Sequence, residues 1–197
     1  MAALGGRSLT AAPAEFDFAD PKGVNAMVIV LDSLLEPIVG SAGGVSGILT
    51  LDPADPKTIT GRLTVPTAQI TMPHPKMTEV LQSPDWLDAK ANPTIAFEFR
   101  ELLSSARTAS NAFRLTVRGD FTCRGVTRPL ETVVDLVYLP GAYKERNHRG
   151  EGDLLVLRTQ FTIRRTDFGI QPQVPSSAVA NDIQLQVRIV GGTPQKP

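Results

Sequence analysis

The sequence predicts an all-β fold, either a closed antiparallel barrel with a cap over one opening or a sandwich with a decorated loop. Three observations carry that prediction. Apolar residues recur at every second position along most of the chain, and Gly, Pro and Asp punctuate the alternating runs at short intervals. One segment alone changes to helical spacing. The 197 residues suit one domain large enough to bury a core.

Residues 1–13, rich in Ala and Gly, read as a flexible arm, and 192–197 as a flexible tail, leaving 14–191 as the folded domain. Strands are expected near 26–31 and 44–51, with the glycine-rich GSAGGVSG (40–47) as a strand entry or bulge. In TITGRLTV (58–65), Ile59, Gly61, Leu63 and Val65 share one face, opposite Thr58, Thr60, Arg62 and Thr64. The segment PKMTEVLQSPDWLDAKANPT (75–94) then places Met77, Val80 and Leu81 at helical spacing. Ser83, Pro84 and Asp85 follow as an N-cap, a first-turn proline and a first-turn acid, which predicts two short helices ending before Pro93.

The strand expected near 94–102 carries Phe97 and Phe99. AFRLTVRGDFT (112–122) alternates most cleanly, with Phe113, Leu115, Val117, Gly119 and Phe121 on one face. Strands near 127–139 and 153–163 come next, the second carrying Phe161. DIQLQVRIV (182–190) closes the series with Ile183, Leu185, Val187 and Ile189 inward. That makes about eight strands. The run 111–122 spans about 40 Å when extended, and a tilt of roughly 40° gives a barrel wall near 30 Å tall. A barrel of eight strands is filled by side chains or holds one small ligand. Periodicity alone favours the first, with Phe113, Leu115 and Phe161 filling the middle.

Lys plus Arg and Asp plus Glu both number 20, so the net charge is zero, which argues against nucleic acid as a partner. Cys123 is the single cysteine, which excludes an internal disulfide and a Cys-rich zinc site. A catalytic thiol would need a base, and only His74 and His148 offer a histidine. Neither has spaced partners for a metal, and no cofactor motif is present. The DFG of RRTDFGI (164–170) lacks the other kinase signatures. No apolar run reaches the roughly 18 residues of a transmembrane helix. The N-terminal residues lack the pattern of a signal peptide. The expected compartment is therefore periplasmic or secreted if a signal peptide has been removed, and cytoplasmic otherwise.

Three stretches, LQSPDWLDAKANPTIAFEF (81–99), LTVRGDFTCRGVTRPLETVVDL (115–136) and FTIRRTDFGI (161–170), occur in that order and together resemble the YceI-like family of bacterial proteins. The matching positions are Trp86-Leu87-Asp88, Pro93-Thr94-Ile95, Gly119-Asp120-Phe121-Thr122, Gly125-Val126-Thr127-Arg128-Pro129 and Arg165-Thr166-Asp167-Phe168-Gly169. The resemblance covers about residues 60–190. It implies an extended antiparallel eight-stranded lipocalin-like barrel with a short helical insertion, whose tunnel binds a polyprenyl or quinone-type isoprenoid lipid. Two family histidines, one in the second strand and one in the hairpin, have no counterpart here. Arg124 stands at the hairpin position.

The expected tunnel lining is Leu63, Val65, Trp86, Leu87, Phe97, Phe99, Phe113, Leu115, Val117, Phe161, Phe168, Leu185 and Val187. Arg165 and Asp167 are expected to form a polar cluster at the barrel end, the arginine bonded to the carboxylate or to nearby backbone. The helical insertion is expected to cap one end and to be the way in. No constellation supports catalysis, and non-enzymatic lipid binding is the leading reading. A barrel enzyme using Asp85, Asp120 or Asp167, or a structural β-domain with a filled core, is the alternative. Self-association as a homodimer stays open.

Overall fold

The computed structural model describes residues 13–35, 37–148 and 150–194. Eleven strands are present among them: β1 (Ala14–Asp17), β2 (Ala26–Asp32), β3 (Pro37–Ala42), β4 (Ser46–Asp52), β5 (Asp55–Pro66), β6 (Ile70–Thr71), β7 (Thr94–Ala109), β8 (Ala112–Cys123), β9 (Val126–Leu139), β10 (Gly152–Arg164) and β11 (Asp182–Pro194). Two helices join them, α1 (Pro75–Gln82) and α2 (Tyr143–Asn147).

Eight wall positions result, because some strands share a position. β1 pairs with β4 on one side and reaches β11 through Asp17↔Gly192, while β2 pairs with β11 and β3 further along the barrel. β1 and β2 thus fill one position in turn, and β3 and β4 fill the next. β5, β7, β8, β9, β10 and β11 complete the circuit, each antiparallel to its neighbours. Closure removes the free edges that an open sheet would expose. The expected eight-stranded lipocalin-like barrel is the fold observed.

Local chemistry explains the turns. Arg124 and Gly125 both take positive φ (49° and 72°) in the two-residue β8–β9 turn, the conformation that matches the twist of a hairpin. Gly47 of β4 pairs with Leu63 and Gly61 of β5 with Leu49, and a Cβ would lie 2.1 Å from the Arg62 carbonyl oxygen at the first or 2.2 Å from that of Ile48 at the second. Only glycine allows that approach.

At the far end from α1, the chain between β1 and β2 is held by Asp20. Its carboxylate accepts the amide N–H groups of Lys22, Val24 and Asn25 at 2.8–3.1 Å and pairs with Arg146 of α2 at 3.2 Å. Burial alone would raise the Asp20 carboxyl, but these hydrogen bonds and the Arg146 charge outweigh it and hold the group below the usual carboxylate range.

Three expectations need correction. The second short helix does not form: Ser83 caps the C-terminus of α1, its hydroxyl donating to the Val80 carbonyl at 2.6 Å, and residues 84–87 make a turn. The first helix is capped at its N-terminus by His74, whose Nδ1 accepts from the Lys76 amide. β1, β3, β6 and α2 went unforeseen, being too short to show a period. β11 also continues through Gly192, Thr193 and Pro194, pairing Pro194 with Gly152, so part of the expected tail is strand. Residues 1–12 and 195–197 lie outside the described residues.

Candidate functional site

Several inward side chains in the middle of the barrel are not fully buried, contrary to the filled middle that periodicity alone favours. On β11, inward-facing Leu185 and Ile189 are buried, yet Val187 between them is only half-buried. On β10, Thr159 and Phe161 are half-buried between buried Leu157 and Ile163, and on β9 Val134 lies half-buried between Thr132 and Leu136. An inward side chain on a closed wall keeps accessible surface only if the space it faces is empty.

That space is a narrow apolar chamber lined by Leu63, Val65, Phe97, Phe99, Leu115, Val117, Phe161 and Val187 among others. A second, smaller chamber lies toward α1 and includes Trp86, Leu87 and Leu185 in its lining. Met27, Ile95 and Phe121 belong to both, so Phe121 stands at their junction. A more open groove lies outward of the second chamber and shares Leu31, Met72, Leu81 and Trp86 with it. Groove and chambers follow one another from the α1 end into the barrel, each sharing apolar lining residues with the next.

Two expected lining residues stand elsewhere in the core. Phe113 is buried near the β7–β8 turn, with the Arg107 guanidinium 4.5 Å from its ring centre. Phe168 packs edge-on against Phe121 at 5.6 Å, as Phe161 does at 5.7 Å. Phe121 itself was left out of the expected lining, although it continues the alternating series of Phe113, Leu115 and Val117. Val45, Met72 and Ile170 also line the route, but they sit outside the long strands, where alternation gives no signal.

The polar groups in the large chamber bond to one another. Thr132 and Thr159 share a hydroxyl contact of 2.8 Å, and Thr159 also donates to the Val133 carbonyl. The wall therefore accommodates an apolar guest without stranding a donor.

Arg165 closes the turn after β10 and is 1% exposed. Of the two partners expected, backbone is the one observed and the Asp167 carboxylate is not. The guanidinium donates to the carbonyls of Ala180 and Ile170 at 3.1 Å, Val179 at 3.2 Å, and also Gln171 and Val174. Asp167 is exposed, so the expected Arg165–Asp167 cluster does not form as an ion pair. Five donors in a planar fork match five carbonyls of one loop, which a carboxylate could not replace. Phe168 turns inward and Gly169 takes φ 67°, as expected for the bend.

A YceI-like domain matches residues 20–191. The chain belongs to the YceI-like family. Among its relatives, a UPF0312 protein of Pseudomonas aeruginosa is 23% identical over 156 residues, 76% of this chain and 72% of that one. The crystal structure of Burkholderia cenocepacia BcnA superposes with a TM-score of 0.68 at 20% identity, covering 84% of this chain and 95% of that one. A polyisoprenoid binding domain from Saccharophagus degradans, implicated in plant cell wall breakdown, superposes at 0.66 with 9% identity, covering 92% and 99%. Both solved structures share the fold.

Within this YceI-like barrel, Arg124 joins three pieces at the α1 end. From the β8–β9 turn it donates to the Gly169 carbonyl at 2.7 Å and the Pro84 carbonyl at 2.9 Å. None of the three aspartates weighed for catalysis lines the tunnel. Asp85 and Asp167 are exposed, and Asp120 faces outward to Arg100 at 2.8 Å. Cys123 does line the inner chamber, but burial pushes its thiol up to about 12 against a smaller downward pull from Arg124. At neutral pH it stays a thiol and a poor nucleophile. No group of three or more potential metal ligands occurs among the described residues.

Proposed function

We propose that this YceI-like chain binds or carries a long isoprenoid lipid, polyprenyl or quinone-type, along its tunnel and performs no chemistry on it. The continuous apolar route supports this reading, with its paired threonines and no carboxylate on the wall. Burial contributes roughly 0.8 kcal/mol per methylene, so a prenyl chain binds well without polar contacts. A solved relative in fold carries a polyisoprenoid-binding description, which agrees with that chemistry.

Native mass spectrometry of the purified protein tests the proposal. The expected result is a co-purifying isoprenoid, or uptake of an added prenyl quinone at one equivalent per barrel. A chain that arrives empty and takes up neither quinone nor polyprenol overturns it.

Trp86 controls entry on this reading. It is half-buried and lines both the outer groove and the inner chamber, whereas its neighbour Leu87 is 6% exposed and belongs to the core. Trp86→Ala is expected to speed prenyl-quinone release by about tenfold while lowering stability by only about 1–2 kcal/mol. Stopped-flow release beside urea unfolding measures both. Unchanged release with a collapsed unfolding midpoint would make Trp86 a core residue and not a gate.

A further inference from the structure

We infer that the rim around the tunnel mouth is a membrane-docking surface that seats in a lipid bilayer. Among the described residues, the most exposed large apolar side chains are Leu34 (84%) and Leu35 (71%), in the turn between β2 and β3. On α1, Met77 and Val80 are 40% and 43% exposed, and the helix has no fully buried side chain. These two sets share one rim. Leu31 and Ile38, which flank the turn, line the outer groove together with Met77 and Val80. Ser33 in the same turn accepts a hydrogen bond from the Ala180 amide, next to Val179 of the groove.

Scattered exposed apolar residues are ordinary, but four around one opening mark an interaction surface. Continuity identifies the occupant. The groove shares Leu31, Met72, Leu81 and Trp86 with the inner chamber, so the rim borders the route a guest would follow. This step rests on the proposed isoprenoid ligand, which resides in a bilayer before it enters a protein. Each methylene that crossed water would add to the barrier. A rim seated among acyl chains keeps the guest in apolar surroundings throughout, whereas a protein on the same rim would block the route.

The charges agree with shallow apolar insertion. Lys76 is the single charged residue lining the groove, and it pairs with Glu79 at 2.9 Å on the solvent side of α1. That pair contributes no net charge, and exposed Asp32 at the foot of the leucine turn is acidic, so docking depends on Leu34, Leu35, Met77 and Val80 and not on anionic headgroups.

Flotation with phosphatidylcholine vesicles, with and without phosphatidylglycerol, tests this. The wild-type chain is expected to float with both compositions, and added salt to change little. Leu34→Ser/Leu35→Ser is expected to reduce the vesicle-bound fraction about tenfold or more. Both residues are exposed, so the variant should unfold at the wild-type urea midpoint and still take up polyprenol from detergent micelles. Absence of flotation by the wild type, or equal flotation by the variant, overturns the docking surface. A wild-type dimer in sedimentation that the double substitution splits, with no vesicle binding, assigns the rim to a second copy and overturns it too. A wild type that floats yet takes up no polyprenol from micelles overturns the carriage reading alone.

Discussion

Val187→Trp is expected to weaken prenyl-lipid binding about a hundredfold while leaving the barrel folded. Val187 faces the large chamber from the middle of β11 and is half-buried because that chamber is empty. An indole there occupies space that the guest would otherwise fill. Displacing about four methylenes from the wall removes roughly 3 kcal/mol of burial, which corresponds to about two decades in affinity. The added ring enters a void and not a packed core, so stability should change by less than about 1 kcal/mol. Gln186→Trp is the control, because the adjacent residue points to the other side of the sheet. Titration of a prenyl quinone into both variants, with urea unfolding alongside, gives the comparison. Equal binding by Val187→Trp and wild type would remove the chamber from the binding site.

Arg165→Ala is expected to cost about 3–5 kcal/mol, the largest loss from a single substitution in this barrel. The side chain is almost wholly buried and donates to five carbonyls between Ile170 and Ala180. Burial lowers the pKa of this guanidinium, which nevertheless remains charged at neutral pH. Truncation leaves those carbonyls without their donor and opens a cavity beside Phe168. Arg165→Met separates the two effects, since it restores volume and no hydrogen bond. It should recover only a minor part of the loss. Because Ile170 and Val179 line the route and its mouth, limited proteolysis should cut the 170–181 loop faster in both variants. Wild-type stability in Arg165→Ala would show that the loop holds itself.

Much of the barrel was legible in the sequence because a half-wet antiparallel strand writes its two faces as alternating residues. The series from Phe113 to Phe121 and from Ile183 to Ile189 placed two walls directly, and the inward set contained most of the lining residues. The alternation could not reveal β1 or β6, which are four and two residues long and are fixed by pairing with distant strands, or β3, six residues whose run Pro37–Ala42 includes Gly40 and Ser41 and is held by its hairpin with β2. It also misjudged Ser83. A serine followed by Pro84 and Asp85 has the local chemistry of a helix start, but the Val80 carbonyl was already in reach of its hydroxyl as the preceding helix ended.

By itself the sequence determined which residues face inward, where the chain turns, and which motif family it carries, because these depend on neighbours along the chain. Whether the inward residues meet in the middle was decided only by closure of the eight walls. The same leucines, valines and phenylalanines fill a narrower barrel or line a hollow one, since the diameter comes from strand number and stagger. Arg165 shows the same division. Its burial could be anticipated from the bend it occupies, but its partners are carbonyls five to fifteen residues away, brought together by a loop with no period to read.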